Sequence, residues 1–131
     1  MVGIVLVSHS PRIAEGTLEV VKQMVGEKVS IEIAAGTQDG RLGTDALMIG
    51  QKIKKVDSGE GVLVIVDLGS AVLNAEFAIE NLEEPLRSLT VIADAPFVEG
   101  AIAAAIEASF GKSLPDVRAA AEGAKAYTKI G

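Results

Sequence analysis

The sequence predicts an α/β fold, a single-domain open parallel sheet of four strands with helices on both faces, over residues 1–131. Short apolar, β-branched runs alternate with longer segments of helical spacing. Small polar turns or glycine-rich loops separate these segments, and no linker, internal repeat or low-complexity stretch interrupts them. Repeated strand–helix units of this kind form parallel sheets with right-handed crossovers.

The first strand is predicted over Gly3–Val7, an unbroken apolar run that ends in a short polar turn. In that turn, Ser10 is a favourable N-cap and Pro11 a favourable first helical residue. His9, the only histidine, therefore precedes a helix N-terminus, where free backbone N–H groups stabilise an anion.

The second strand–helix unit begins with Val29–Ala34, whose apolar and polar residues alternate. This alternation predicts a strand with one solvated face or a place at the sheet edge. The glycine-rich loop Gly36–Gly43 follows. It is compatible with a phosphate held by backbone N–H groups, and equally with a solvated loop. Thr44 or Asp45 should open the next helix.

The third strand is predicted over Gly61–Val66, the most continuously apolar run, and is expected to lie at the centre of the sheet. Asp67 ends it. Ser70 is then expected to cap a helix that runs to about Glu84 and is ended by Pro85.

The fourth strand is predicted over Leu89–Ala93 and ends at Asp94, which we interpret as a turn residue first and a site residue second. An alanine-rich helix over Val98–Phe110 follows, and it could pack inside the subunit or between subunits. A last helix, capped by Ser113, should run to about Tyr127. No clear fifth strand follows.

Composition excludes several classes of function. Aromatic residues make up 3% of the chain and the net charge is −6, so nucleic acids and anionic membranes are unfavourable partners. The absence of cysteine excludes disulfides and thiol catalysis, and one histidine without cysteine makes no ordinary zinc site. No signal peptide and no membrane-spanning run is recognisable, so we expect a cytoplasmic protein.

The candidate site combines His9 with Asp67. If their strands are neighbours, the carboxylate reaches one ring nitrogen, fixes the tautomer and leaves the other nitrogen nucleophilic. The alternatives are a surface histidine in a turn and an acid that only caps or turns. Further candidates are residues whose side chains or backbone groups could contact a bound phosphoryl group: Ser10, Gly36, Thr37 and Ser70.

Four segments resemble the strand ends of the DhaM family, the phosphocarrier subunits of phosphotransferase-dependent dihydroxyacetone kinases. These subunits are similar to the mannose-type EIIA domains of sugar phosphotransferase systems. The segments are Ile4–Ser10, Ala34–Gly36 with Gly43–Ala46, Val66–Ala71, and Ala95–Gly100. The resemblance covers nearly the whole chain. The turn at Leu68-Gly69-Ser70-Ala71 looks like the dihydroxyacetone version, as does Ala35-Gly36 where sugar-transport domains tend to have Gly-Gly.

The resemblance implies a phosphotransferase subunit that carries a phosphohistidine at His9. The phosphoryl group would come from HPr and pass to ADP held, with magnesium, on the DhaL subunit. The resulting ATP would phosphorylate dihydroxyacetone on DhaK. The resemblance also implies a homodimer with no cofactor of its own. Some family members have additional HPr-like and enzyme I-like domains, so this chain is expected to use separate HPr.

Two other functions remain open. A sugar-transport EIIA phosphocarrier would transfer its phosphoryl group to a IIB component. A non-catalytic small-molecule-binding α/β module would have a histidine of no chemical consequence.

Overall fold

Four parallel strands form one open sheet in the computed structural model, which describes residues 1–131. The order is β2-β1-β3-β4, and the strands are β1 (Gly3–Ser8), β2 (Ile31–Ala35), β3 (Val62–Val66) and β4 (Thr90–Ala93). The predicted fold class is confirmed. The alternating β2 lies at an edge, which is one of the two arrangements that its pattern allows, and the continuously apolar β3 lies in the interior of the sheet beside β1.

Five α-helices cover both faces of this sheet. They are α1 (Pro11–Val25), α2 (Ala46–Val56), α3 (Val72–Glu80), α4 (Phe97–Ser109) and α5 (Leu114–Gly123). Helices α1, α4 and α5 pack on one face, whereas α2 and α3 pack on the other. None of the helices is both long and apolar enough to cross a bilayer.

The central strand β1 is buried on both faces, which explains its continuous apolar sequence. Ile4 and Leu6 point into the core beneath α1, α4 and α5. Val5 and Val7 point into the core beneath α2 and α3. A strand enclosed in this way has no solvated face on which a polar residue can lie without a partner.

Side-chain caps begin three of the helices where the sequence predicts them. The Ser10 hydroxyl accepts from the Ile13 N–H at 3.4 Å, and the Asp45 carboxylate accepts from the Leu47 N–H at 2.8 Å. Ser113 caps α5 in the same manner. These caps satisfy N–H groups that have no partner within the helix, and they fix where each of the three helices begins.

The segment after β3 differs from the prediction. Ser70 does not cap α3; instead, it lies in a short 3₁₀ helix, Gly69–Ala71, that precedes α3. α3 then ends at Glu80, about one helical turn earlier than predicted. The Asn81 side-chain amide donates to the Phe77 carbonyl at 2.8 Å and satisfies an acceptor in the last turn. Because Ser70 does not cap α3, its hydroxyl is available for another hydrogen bond.

The alanine-rich helix α4 packs inside the subunit. Its buried residues are small and lie on the side that faces β1, α1 and α5: Gly100, Ala101, Ala104, Ala105 and Ala108. Small side chains let the helix approach its neighbours closely. The last helix is shorter than predicted, because α5 ends at Gly123 and a 3₁₀ helix over Ala124–Ala126 follows.

Candidate functional site

The ends of β1 and β3 bring His9 and Asp67 together. Val7 of β1 pairs with Val66 of β3, so the residues that follow these two positions lie near each other. The Asp67 N–H donates to the Val7 carbonyl at 3.0 Å and extends the ladder by one bond. Adjacent parallel strands thus place the imidazole and the carboxylate at the same edge of the sheet.

The Asp67 carboxylate is nearly enclosed, with 9% of its side chain exposed, and both of its oxygens accept hydrogen bonds. Oδ1 lies 2.9 Å from His9 Nδ1 and accepts from the Leu68 N–H at 2.8 Å. Oδ2 accepts from the His9 N–H at 2.9 Å and from the Ser8 hydroxyl at 3.0 Å. The carboxylate is therefore fixed in both position and rotation.

Burial acts to raise the pKa of Asp67, but the hydrogen bonds outweigh it. The His9 N–H, the His9 ring and the Ser8 hydroxyl all favour the charged form, so the pKa lies below its ordinary value. An ionised carboxylate can only accept hydrogen bonds. The proton between the two side chains consequently lies on Nδ1, and in the neutral ring the lone pair is on Nε2.

Ser70 lies on the other side of the ring. Its Oγ is 2.9 Å from His9 Nε2. Since Nε2 has the lone pair in this tautomer, the Ser70 hydroxyl donates and the nitrogen accepts. The imidazole is thus hydrogen-bonded at both nitrogens: Nδ1 donates to the Asp67 carboxylate, and Nε2 accepts from the Ser70 hydroxyl.

The ring lies on an open rim instead of in a pocket. The side chain of His9 is 26% exposed. None of the surface clefts is lined by His9, although Asp67 and Leu68 line a cleft of about 560 Å³ between α3 and the end of β4. A side chain in this position is accessible to a large partner such as another protein.

The glycine-rich loop is anchored to the backbone around the histidine. The Gly36 N–H donates to the Ser8 carbonyl at 3.1 Å, and the Gly43 N–H donates to the His9 carbonyl at 2.9 Å. Gly36 has a φ of +75°, a conformation in which other residues are strained. Because the Gly36 N–H already donates to the Ser8 carbonyl, its contact with a phosphate remains a prediction.

Two predicted helper hydroxyls support local turns and make no hydrogen bond to the ring. Thr37 Oγ1 bonds to the Asp39 carboxylate and accepts from the Arg41 N–H at 3.0 Å. The Ser10 hydroxyl caps α1. Of the predicted site residues, the structure therefore gathers His9, Asp67 and Ser70 at one point. Thr37 and Ser10 shape the surrounding turns, and their action on a phosphate remains a prediction.

One residue of the site, Ser8, is absent from the sequence prediction. Its hydroxyl is fully buried at the end of β1 and contacts the Asp67 carboxylate. The predicted first strand ends at Val7, which assigns Ser8 to the polar turn, whereas in the structure Ser8 is the last residue of the buried strand β1. A serine in such a turn gives no indication that its hydroxyl is buried against the carboxylate of a neighbouring strand end.

The EIIA-man family model, described as the fructose IIA component of the phosphotransferase system, matches residues 3–118. The chain belongs to this family. The match extends from β1 into α5 and so includes all four strands and the whole site.

Curated relatives of this EIIA-man chain are named as DhaM. The chain is 50% identical over 107 residues to the phosphoryl donor subunit DhaM of PEP-dependent dihydroxyacetone kinase 2 from Listeria innocua, covering 82% of this chain and 86% of that protein. It is 40% identical over 120 residues to the corresponding Escherichia coli K12 subunit, covering 89% of this chain. The match spans only 25% of the E. coli protein.

A solved structure has the same fold. The crystal structure of EF1359, a protein of unknown function, superposes with a TM-score of 0.88 at 40% sequence identity, and the match covers 100% of both chains. The α/β architecture is therefore shared by a relative at substantial sequence identity.

Proposed function

We propose that this chain is a phosphohistidine carrier of a PEP-dependent dihydroxyacetone kinase, with His9 as the residue that accepts and releases the phosphoryl group. The supporting observation is the arrangement of the ring. Nδ1 is held by an ionised carboxylate, which leaves the lone pair of Nε2 at the accessible rim. The naming of the relatives as phosphoryl donor subunits supports the same role.

In the first step, the Nε2 lone pair attacks the phosphorus of a phosphohistidine on HPr. The donor's N–P bond breaks as the new N–P bond forms, and its electron pair stays with the donor's imidazole. Transition states of this kind are loose, so alignment and charge stabilisation supply most of the rate. The fixed orientation of the His9 ring provides that alignment.

Asp67 supports this step from behind the ring. Once Nε2 is phosphorylated while Nδ1 keeps its proton, the ring acquires cationic character. The carboxylate, 2.9 Å from Nδ1, stabilises that charge and prevents the ring from turning over. Asp67 does not take the proton, because its pKa lies below the ordinary value.

Ser70 has a different role before and after the transfer. In the resting site its hydroxyl donates to Nε2, which it must release before the nitrogen attacks. The released hydroxyl then lies within reach of the new phosphoryl oxygens and can donate to one of them. Ser70 thus exchanges one acceptor for another within the same site.

In the second step, a terminal phosphate oxygen of ADP on DhaL attacks the phosphorus, and the N–P electron pair returns to Nε2. ATP forms on DhaL and phosphorylates dihydroxyacetone on DhaK. The nucleotide and its magnesium belong to DhaL in this scheme, and this chain supplies the phosphohistidine alone. We also expect a homodimer, for which light scattering in solution is the measurement.

The acceptor distinguishes this function from sugar transport. The chain is first phosphorylated with PEP, enzyme I and HPr, then divided between DhaL with bound ADP and a IIB component of a mannose-type transporter. ATP formation on DhaL, without transfer to IIB, is the expected result. Transfer only to IIB would instead assign the chain to sugar transport, which its family description also permits. Absence of any phosphorylated chain would favour a non-catalytic binding module.

A further inference from the structure

The Ser8 hydroxyl occupies a position where the rest of its strand is apolar. Ser8 is the last residue of β1, and its side chain is fully buried. A buried hydroxyl lowers stability unless it has hydrogen-bond partners, so its presence at this position requires an explanation from its contacts.

Three contacts surround Ser8 Oγ. It lies 3.0 Å from Asp67 Oδ2 and 3.0 Å from the Ser10 carbonyl, and it accepts from the Ser10 N–H at 3.1 Å. A hydroxyl has one proton and can donate fully to one acceptor at a time. Because a charged carboxylate is a stronger acceptor than a carbonyl, the proton is directed to Asp67.

This donation completes the support of the carboxylate. With Ser8 present, Oδ2 is held by the Ser8 hydroxyl and the His9 N–H, while Oδ1 accepts from the Leu68 N–H and the His9 ring. Without the Ser8 hydroxyl, Oδ2 keeps one donor and the Ser10 N–H loses its acceptor. The carboxylate could then rotate, and the backbone turn that holds His9 would lose an internal tie.

We propose that Ser8 is a positioning residue that acts through Asp67 to keep the His9 proton on Nδ1 and the Nε2 lone pair at the rim. The rate effect of this role rests on the proposed function, because it presupposes transfer through His9. The effect on the tautomer does not depend on the transfer reaction. The two effects can therefore be measured separately.

The test uses Ser8→Ala and Ser8→Cys, which remove or weaken the donor with little change in volume. Thr90→Val is the matched control, since Thr90 Oγ1 is also a buried hydroxyl but donates to the Leu86 carbonyl at the opposite end of the sheet. Denaturant unfolding establishes that each variant is folded. If Ser8→Ala does not fold, the Ser8→Cys variant supplies both measurements.

The first measurement is ¹⁵N NMR of the His9 ring at neutral pH, which reports the nitrogen that holds the proton. The second is the rate of phosphoryl transfer from phosphorylated HPr. We expect part of the His9 population to shift to the Nε2–H tautomer in the Ser8 variants. We expect transfer to slow roughly tenfold in Ser8→Ala, as for the loss of a hydrogen bond to a charged group, with a smaller effect in Ser8→Cys. Thr90→Val should match the wild type in both.

A wild-type tautomer in both Ser8 variants would overturn the proposal, even if transfer were slower, because Ser8 would then act by another route. The Ser8 variants could instead show the tautomer shift while the wild-type chain accepts no phosphoryl group from HPr. That result would support the positioning role of Ser8 and refute the proposed function.

Discussion

Asp67 and Asp94 each follow a parallel strand at the same edge of the sheet, yet their surroundings differ. Asp67 is 9% exposed and accepts hydrogen bonds from the His9 ring, two backbone N–H groups and a buried hydroxyl. Asp94 is 90% exposed, and its carboxylate contacts the Lys125 ammonium at 3.1 Å. Although both residues follow a strand directly, the Asp67 carboxylate is held by hydrogen bonds and the Asp94 carboxylate is exposed at the surface.

Strand order accounts for this difference. β3 is the neighbour of β1, whereas β4 pairs with β3 alone. Asp94 is thus separated from the end of β1 by two strand spacings, about 10 Å, which is too far for hydrogen bonding to the imidazole. A strand-end acid in an α/β sheet acquires a role through its neighbouring strand, not through its own sequence.

The largest effect is expected at His9 itself. His9→Ala should abolish phosphoryl transfer from HPr and leave the fold intact, because the ring is at the rim and contributes little to the core. The measurement is incorporation of label from PEP in the presence of enzyme I and HPr, with circular dichroism to verify folding. Full incorporation by the variant would refute the assignment of His9.

The comparison of the two acids is tested by paired variants. Asp67→Ala should slow transfer roughly 10- to 100-fold, as expected when a partner that orients a functional histidine is removed. Asp94→Ala should leave the rate unchanged, because its carboxylate does not reach the ring. Single-turnover transfer from phosphorylated HPr measures both. Equal rates for the two variants would reduce Asp67 to a turn residue.

A smaller effect is expected for Ser70. Ser70→Ala removes one hydrogen bond to Nε2 and a potential donor to the phosphoryl group, so transfer should slow about fivefold, equivalent to ~1 kcal/mol. Quenched-flow kinetics would resolve this change. A rate above that of the wild type would mean that the resting hydrogen bond to Nε2 mainly inhibits attack.

The smallest effect concerns stability in acid. The folded-state pKa of Asp67 is lower than its unfolded value of ~3.9, so its ionisation stabilises the fold fully above that pH. This contribution is lost as pH falls through the folded-state pKa. The measurement is the free energy of unfolding by denaturant, for the wild type and for Asp67→Asn, from pH 7 to pH 3. Below about pH 4 the free energy of unfolding of the wild type should fall relative to that of the variant. A difference independent of pH would contradict the network around the carboxylate.

The sequence was sufficient to predict the parallel sheet, the interior position of β3 and, on the condition that β1 and β3 are neighbours, the contact of His9 with Asp67. These follow from apolar periodicity and from the fact that parallel strands end at one edge. The role of Ser70 was harder to predict, because a serine after a strand is a common helix cap and only the 3₁₀ turn directs it to the ring. Ser8 was missed for a related reason: the predicted first strand ends at Val7, which assigns Ser8 to the polar turn, whereas in the structure β1 extends to Ser8 and its hydroxyl contacts Asp67.

The most direct test of the central claim is the position of the phosphate on the imidazole. The chain, labelled with ¹⁵N-histidine, is phosphorylated by PEP, enzyme I and HPr and observed by NMR. The geometry at Asp67 predicts a phosphorus–nitrogen bond at Nε2 of His9, with the proton still on Nδ1. Phosphate on Nδ1, or no phosphohistidine at all, would contradict the account.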